Sequence, residues 1–384
     1  MSKSVRVRPL IVGVFLGMGL WMALSGSGPA GAQAPSASSI RVGILREQDR
    51  VPITSDRPIA VVSGSLRSAL APGAYEFTPS DRGIDVSTGG RLNSIVRLTP
   101  ARDARLLVGI RPYRGTIELR RTPGGRLTVI NELDLEEYLY GVLKMEVDPA
   151  WPAEALKAQA VAARTLALYS LNRYAGEGYD VRATTDTQVY GGVVAEDPRT
   201  TAAVNETRGI VMTAAGRPVF SAFHSDSGGH TENSELVWGG RYPYLQGVPD
   251  PYSPAVAWTL RLDIPALEDL LRHAGRVRSA LSAIEVGNVS PSGRVLTVRI
   301  TTTAGPVDVK GTDLRTMLGA GRMKSTLFAL RTIPGDPVIY EFAGRGNGHG
   351  VGMSQWGARG QALQGKAYPE ILRFYYTGVS IETR

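Results

Sequence analysis

A Pro-Trp-Pro turn (Pro149, Trp151, Pro152) separates two helical patterns, and it constrains the fold more than any other feature. Proline ends a helix on one side and suits the first position of a helix on the other, so one helix must stop here and another begin. Upstream, Asp134 and Glu137 form an acidic capping box. Leu135, Tyr138, Leu139, Val142 and Leu143 then recur at helical spacing as one apolar stripe. If that helix continues past Lys144, it carries Glu146 on the same apolar face. A partly desolvated carboxyl holds its proton more tightly, which suits a general acid near neutral pH. The competing reading is a solvated glutamate at a helix end.

Downstream, Pro152 takes the first helical position and Glu154 sits at the positive end of the dipole. Seven alanines between Ala153 and Tyr169 let other backbone approach closely. Gln159 falls on the apolar side, where a buried amide must find partners. These are a loop backbone, Glu146 or a substrate. Arg164 falls on the polar side with Glu154, Lys157 and Thr165.

Three later segments carry polar groups in Gly-rich surroundings. In residues 184–192, Asp186, Gln188 and Tyr190 alternate, so an extended chain would point all three one way. They then line a groove with Tyr190 as a sugar platform, or they form a solvated strand face. In residues 224–235, His224, His230, Asp226, Glu232 and Glu235 are spaced too loosely for a standard metal motif, and no metal is expected. Ser225 and Ser227 are placed to hydrogen-bond a glycan. In residues 344–358 five glycines alternate with other residues, but no G-K-[ST] follows, which argues against a phosphate loop. That backbone would lie flat along a groove and display His349, with Ser354 and Gln355 opening a helix to about residue 364.

The 384 residues are 43% hydrophobic and 20% charged, which indicates a globular chain. No cysteine is present, so a thiol nucleophile, disulfides and a lipoprotein anchor are excluded. Lys3, Arg6 and Arg8 precede an apolar run and Ala30-Gly31-Ala32, the pattern of a secretory signal over residues 1–32. Cleavage would lower the net charge from +8 to +5 by removing three basic residues and no acid. Export to a periplasm or cell-wall space is expected, or membrane association if the signal stays uncleaved. Residues 33–39 read as a linker and 40–126 as a β-rich region of short strands and turns. No basic stripe interleaved with aromatics suggests nucleic acid.

Lys144 to Leu168 reads K-M-E-V-D-P-A-W-P-A-E-A-L-K-A-Q-A-V-A-A-R-T-L-A-L. With T-D-T-Q-V-Y-G-G (185–192), F-H-S-D-S-G-G-H-T-E (223–232) and G-R-G-N-G-H-G-V-G-M-S-Q-W-G-A (344–358), it resembles the stage II sporulation protein D family, which includes the amidase enhancers. The resemblance implies a domain over residues 127–384 with Glu146 at the catalytic position. Gln159, Arg164, Tyr190, Ser225, His349 and Gln355 match motif positions, and Gln188 and Ser354 lie in the same motifs; all are expected to bind substrate. It implies an α+β fold with a mixed, mainly antiparallel sheet, helices around a glycan groove, and no cofactor. The implied activity is that of a peptidoglycan lytic transglycosylase, which leaves 1,6-anhydro-muramic acid ends. The alternative is a non-catalytic enhancer of a cell-wall amidase. The residues agree on one point: no G-x-S-x-G is present for a serine hydrolase, and Asp186 and Asp226 are distant candidates for the second carboxylate of an ordinary glycosidase.

Overall fold

The computed structural model describes residues 39–384. The expected signal, its cleavage site and all of the linker except Ser39 lie outside the described residues. The fold is α+β, with mainly antiparallel strands. The described chain divides into two compact units, residues 39–222 with 361–384, and residues 223–360.

In the first unit a seven-stranded sheet runs in the order Val181–Arg182, Ser39–Gln48, Leu127–Asp134, Thr116–Arg121, Ile95–Pro100, Ile59–Ser63, Leu66–Leu70. Its apolar residues alternate, so that Ile40 and Val42, Val96 and Leu98, and Ile117 and Leu119 all point into one core. A six-stranded sheet contributes Ile53, Phe77, Ile84 and Leu106 to that same core. Val51–Ser55 and Gly73–Ser80 belong to the six-stranded sheet and Leu66–Leu70 to the seven-stranded one. Leu66–Leu70 is a mostly exposed edge and has no buried face to set a pattern.

The boundary expected at residue 127 falls inside one compact unit of the structure. Leu127–Asp134 pairs with Thr116–Arg121 on one side and with Ser39–Gln48 on the other. The β-rich region and the helices that follow therefore share one hydrophobic core. The C-terminal strand Ser380–Thr383 also returns to this unit and pairs with Ile210–Ala214.

Helix α1 spans Leu135–Glu146, so it does continue to the carboxylate. The Asp134 side chain accepts hydrogen bonds from the Glu136 and Glu137 amides at 2.9 and 3.4 Å, which caps the start. Helix α2 spans Ala153–Tyr169, with Pro152 as its N-cap, one residue earlier than the sequence reading placed it. Helix α3 spans Pro198–Glu206 and packs against both.

The second unit has two three-stranded antiparallel sheets, one from Ala257–Asp263, Phe328–Ile333 and Ile339–Arg345 and the other from Leu281–Val286, Thr297–Thr302 and Gly305–Lys310. Trp258, Phe342, Val298 and Leu314 form part of its core. Phe223–His224 and Met353–Ser354 pair in parallel, which joins the two Gly-rich motifs.

Candidate functional site around Glu146

Glu146 ends α1 half-buried, just before the Pro-Trp-Pro turn. One face of α1 is core: Tyr138, Leu139, Val142 and Leu143 have no exposed surface. The Tyr138 hydroxyl donates to Gln188 Oε1 at 3.3 Å. Burial, and next the negative charge of Glu146, push the Tyr138 phenol far up, so it stays protonated. Gln159 on α2 is 1% exposed, and neither of its amide atoms has a hydrogen-bond partner among the described residues. Gln188 is also buried, and its Nε2 has no partner among those residues. Unspent amide donors and acceptors shielded from water are costly, so their retention beside α1 calls for an explanation.

Two sequence expectations are corrected here. Tyr190 is not a displayed sugar platform: it is 4% exposed, its ring lies 5.2 Å from that of Tyr138, and its hydroxyl donates to Asn131 Oδ1 at 2.8 Å. The segment makes a turn at Thr184–Thr187 and is not extended there. Asp186 consequently pairs with Arg182 at 3.2 Å, while Gln188 and Tyr190 turn inward. Gly141 makes room for the ring, since a Cβ there would lie 2.6 Å from Tyr190 Cε2.

Arg164 is not a groove residue. It is 1% exposed; Nε and Nη2 grip the Glu136 carboxylate at 2.8 and 2.6 Å, and Nη1 donates to the Ile210 carbonyl at 3.0 Å. The polar side of α2 is itself covered. Thr165 accepts from the Met212 amide at 3.0 Å, and Arg164 also reaches the Val204 carbonyl of α3.

In the second unit the structure brings Ser225, His349, Ser354 and Gln355 into one knot. Asp226 and Asn347 exchange backbone hydrogen bonds of 2.9 and 2.8 Å, and the Trp356 amide donates to the Ser225 carbonyl at 3.0 Å. Asp226 is a clamp, accepting from Gly228 and Val256 amides and the Ser253 hydroxyl. Ser354 has no exposed surface, and its hydroxyl accepts from the amides of Gly357 and Ser227 at 3.1 and 3.2 Å. It therefore caps the helix Gln355–Leu363 and is closed to a ligand. Gln355 is 7% exposed and Ser225 half-buried.

His349 was expected to be displayed, but both ring nitrogens are engaged. Nε2–H donates to the Phe223 carbonyl at 3.0 Å, and Nδ1 accepts from the Val351 amide at 3.1 Å. Its ring lies between Trp238 and His224, at 5.0 and 5.4 Å. Burial, and next the positive charge of Arg315, push its pKa down to about 3 and keep the imidazole neutral. His224 is held neutral by burial in the same way. Among the described residues no group of three or more His, Asp and Glu side chains is placed to hold a metal.

Two residues that the sequence reading did not select are central. Tyr138 belongs by its spacing to the apolar stripe of α1, yet a buried phenol usually finds a hydrogen-bond partner, here Gln188. Arg294 is 1% exposed, donates to the Ser227 and His230 carbonyls at 2.6 and 3.3 Å, and lies under Gly350, where a Cβ would be 2.5 Å from its Cζ. No local pattern signals that role.

The family model described as stage II sporulation protein matches residues 123–213, which contain Glu146, Gln159, Arg164, Gln188 and Tyr190. A second model, described as a domain of unknown function, matches residues 246–352. A protein of Brachyspira hyodysenteriae is 39% identical over 258 residues, 66% of this chain and 68% of its own length. The amidase enhancer of Bacillus subtilis is 33% identical over 63% of this chain, which spans 40% of that longer protein. Stage II sporulation protein D of Bacillus amyloliquefaciens is 33% identical over 270 residues, 66% of this chain and 75% of that protein. The chain belongs to the stage II sporulation protein D family.

Proposed function

We propose that the chain is a peptidoglycan lytic transglycosylase in which Glu146 serves first as acid and then as base. The observation that carries this reading is the setting of Glu146: a half-buried carboxyl at the end of an apolar helical face, whose charge reaches the sealed Tyr138 phenol, which in turn holds Gln188, a buried amide with an unspent donor. In the first step the Glu146 carboxyl gives its proton to the oxygen linking MurNAc to GlcNAc, the C1–O bond breaks, and GlcNAc leaves with a free hydroxyl. In the second the carboxylate takes the proton of the muramic C6 hydroxyl as O6 attacks C1. The 1,6-anhydro ring closes and Glu146 regains its proton. The nucleophile belongs to the sugar, so no second carboxylate has to activate water. Gln159 and Gln188, both sealed from solvent, act on the carboxyl and not on the glycan, and Tyr138 orients Gln188. Mass spectrometry of muropeptides after digestion of intact and peptide-stripped peptidoglycan tests this. Anhydro-muramic ends are expected, and their absence from both digests would sink the proposal.

The relative named amidase enhancer favours a second reading, a wall-binding activator of an N-acetylmuramoyl-L-alanine amidase. Stimulation of a purified amidase by a protein that cuts no glycan would select it. We also infer export with cleavage after Ala32, from the basic start, apolar run and small-residue site. N-terminal sequencing of the protein from the periplasmic or wall fraction should begin at Gln33; an intact Met1 in the membrane fraction would support the anchor instead.

A further inference from the structure

The β-rich part of the first unit carries a cleft of its own, about 420 Å³ in volume, where the ends of four sheet strands meet the turn Ala175–Glu177. Strand pairing sets Ile95 and Thr128 directly opposite Arg120, so these three side chains share one face. Along that face runs a ladder of ion pairs. Arg97 and Arg41 each meet Glu132 at 2.7 Å, and Arg120 meets the buried Glu118 through Nη2 and Nε at 2.8 and 3.2 Å. Arg120 is also pressed against Gly178, where a Cβ would lie 2.7 Å from its Cζ. Its guanidinium is therefore held in place before any ligand arrives, which lowers the ordering cost of binding.

Arg121 and Arg46 are less committed. The Nε of Arg121 is shielded from solvent and has no acceptor among the described residues. Arg46 stands 3.8 Å from Glu177, too far for a hydrogen bond. The lining carries three arginines and two glutamates, Glu47 and Glu177, and Arg120 is already paired with Glu118, so Arg46 and Arg121 are the guanidiniums left to meet an anion. Guanidinium forks match carboxylates in geometry and charge. Thr128 adds a hydroxyl, Ile95 is 37% exposed and adds an aliphatic surface, and the volume is that of a small-ligand site.

We propose that this cleft binds the carboxylate of a muramic acid unit or of its attached peptide, apart from the cleavage chemistry. This rests on peptidoglycan being the substrate. The carboxylate has two sources there: the lactyl group of peptide-free muramic acid, or the peptide itself. The full chain, labelled at isoleucine methyls, would be titrated with N-acetylmuramic acid and with N-acetylmuramyl-L-alanyl-D-isoglutamine while the Ile95 methyl is followed by NMR. Saturable movement with either probe is expected. Binding of the first assigns the lactyl group, and binding of the second alone assigns the peptide. Arg121→Gln should weaken binding at least about tenfold, as for loss of one hydrogen bond to a charged group. Arg46→Gln, at a half-exposed side chain, provides the same test if the first variant does not fold. Arg91→Gln, which breaks a pair with Asp85 in the six-stranded sheet, should change nothing. A still Ile95 methyl, wild-type affinity in Arg121→Gln, or equal binding of neutral N-acetylglucosamine would overturn the proposal. Neither muramyl probe has a glycosidic bond to cleave, so this result is separate from the anhydro-product assay. A failed cleft with active Glu146, and a working cleft without cleavage, are distinguishable outcomes.

Discussion

Arg164 on α2 and Glu136 on α1 form a bidentate pair with almost no exposure to solvent, at 2.6 and 2.8 Å. The pair locks the start of α1 to the later turns of α2, and Glu136 also accepts the Gly209 amide at 3.1 Å. Removing one partner strands a buried charge. Arg164→Met should therefore destabilise by about 3–5 kcal/mol in urea denaturation. Arg164→Met with Glu136→Leu should recover most of that loss. A single variant as stable as the parent would contradict the structural role.

Glu146→Gln keeps shape and removes the titratable proton. Anhydro-muropeptide release should fall by at least about 10²–10⁴-fold, the range for general acid–base assistance. The melting temperature should stay near wild type, because the substituted amide would occupy the same half-buried helix end. Near-normal anhydro product would refute the mechanism.

The neutral His349 makes stability depend on pH. Its folded pKa of about 3 lies below the ordinary 6.5, so between these values the unfolded chain binds the proton and the folded chain does not. Stability from this group is full above about pH 6.5 and is lost as pH falls towards 3. His224, lowered by burial, acts in the same direction. The melting temperature should decline between pH 6.5 and 5, before ordinary carboxylates titrate. His349→Gln should flatten that slope; an unchanged slope would show that His349 is not the source.

Ser354 caps a helix and also holds the Ser227 amide. Ser354→Ala should cost about 1 kcal/mol in denaturant melts, the usual worth of a cap. If it instead leaves stability unchanged and weakens glycan binding, the ligand role expected from the motif is restored.

Local pattern was enough for the two helices. The Asp134 cap, the stripe through Tyr138 and Val142, and the alanine-rich run to Tyr169 specify α1, α2 and the burial of Gln159, because helical periodicity alone decides which side chains share a face. What covers each face depends on residues distant in the chain. Arg164 does lie opposite the apolar stripe, but α3 and the strand Ile210–Ala214 close over it, and a polar side chain became an internal anchor. Tyr190 reads as displayed only if its segment is extended; the turn before it and the gap at Gly141 swing the ring inward. His349 is surrounded by glycines, yet the backbone they allow folds onto its own imidazole and on Phe223. The β-rich region joins the helices because Leu127–Asp134 needs a strand on each side, and one of them begins at Ser39. Spacing along the chain sets the orientation of a side chain, and long-range pairing sets its surroundings; only the tertiary structure could supply the second.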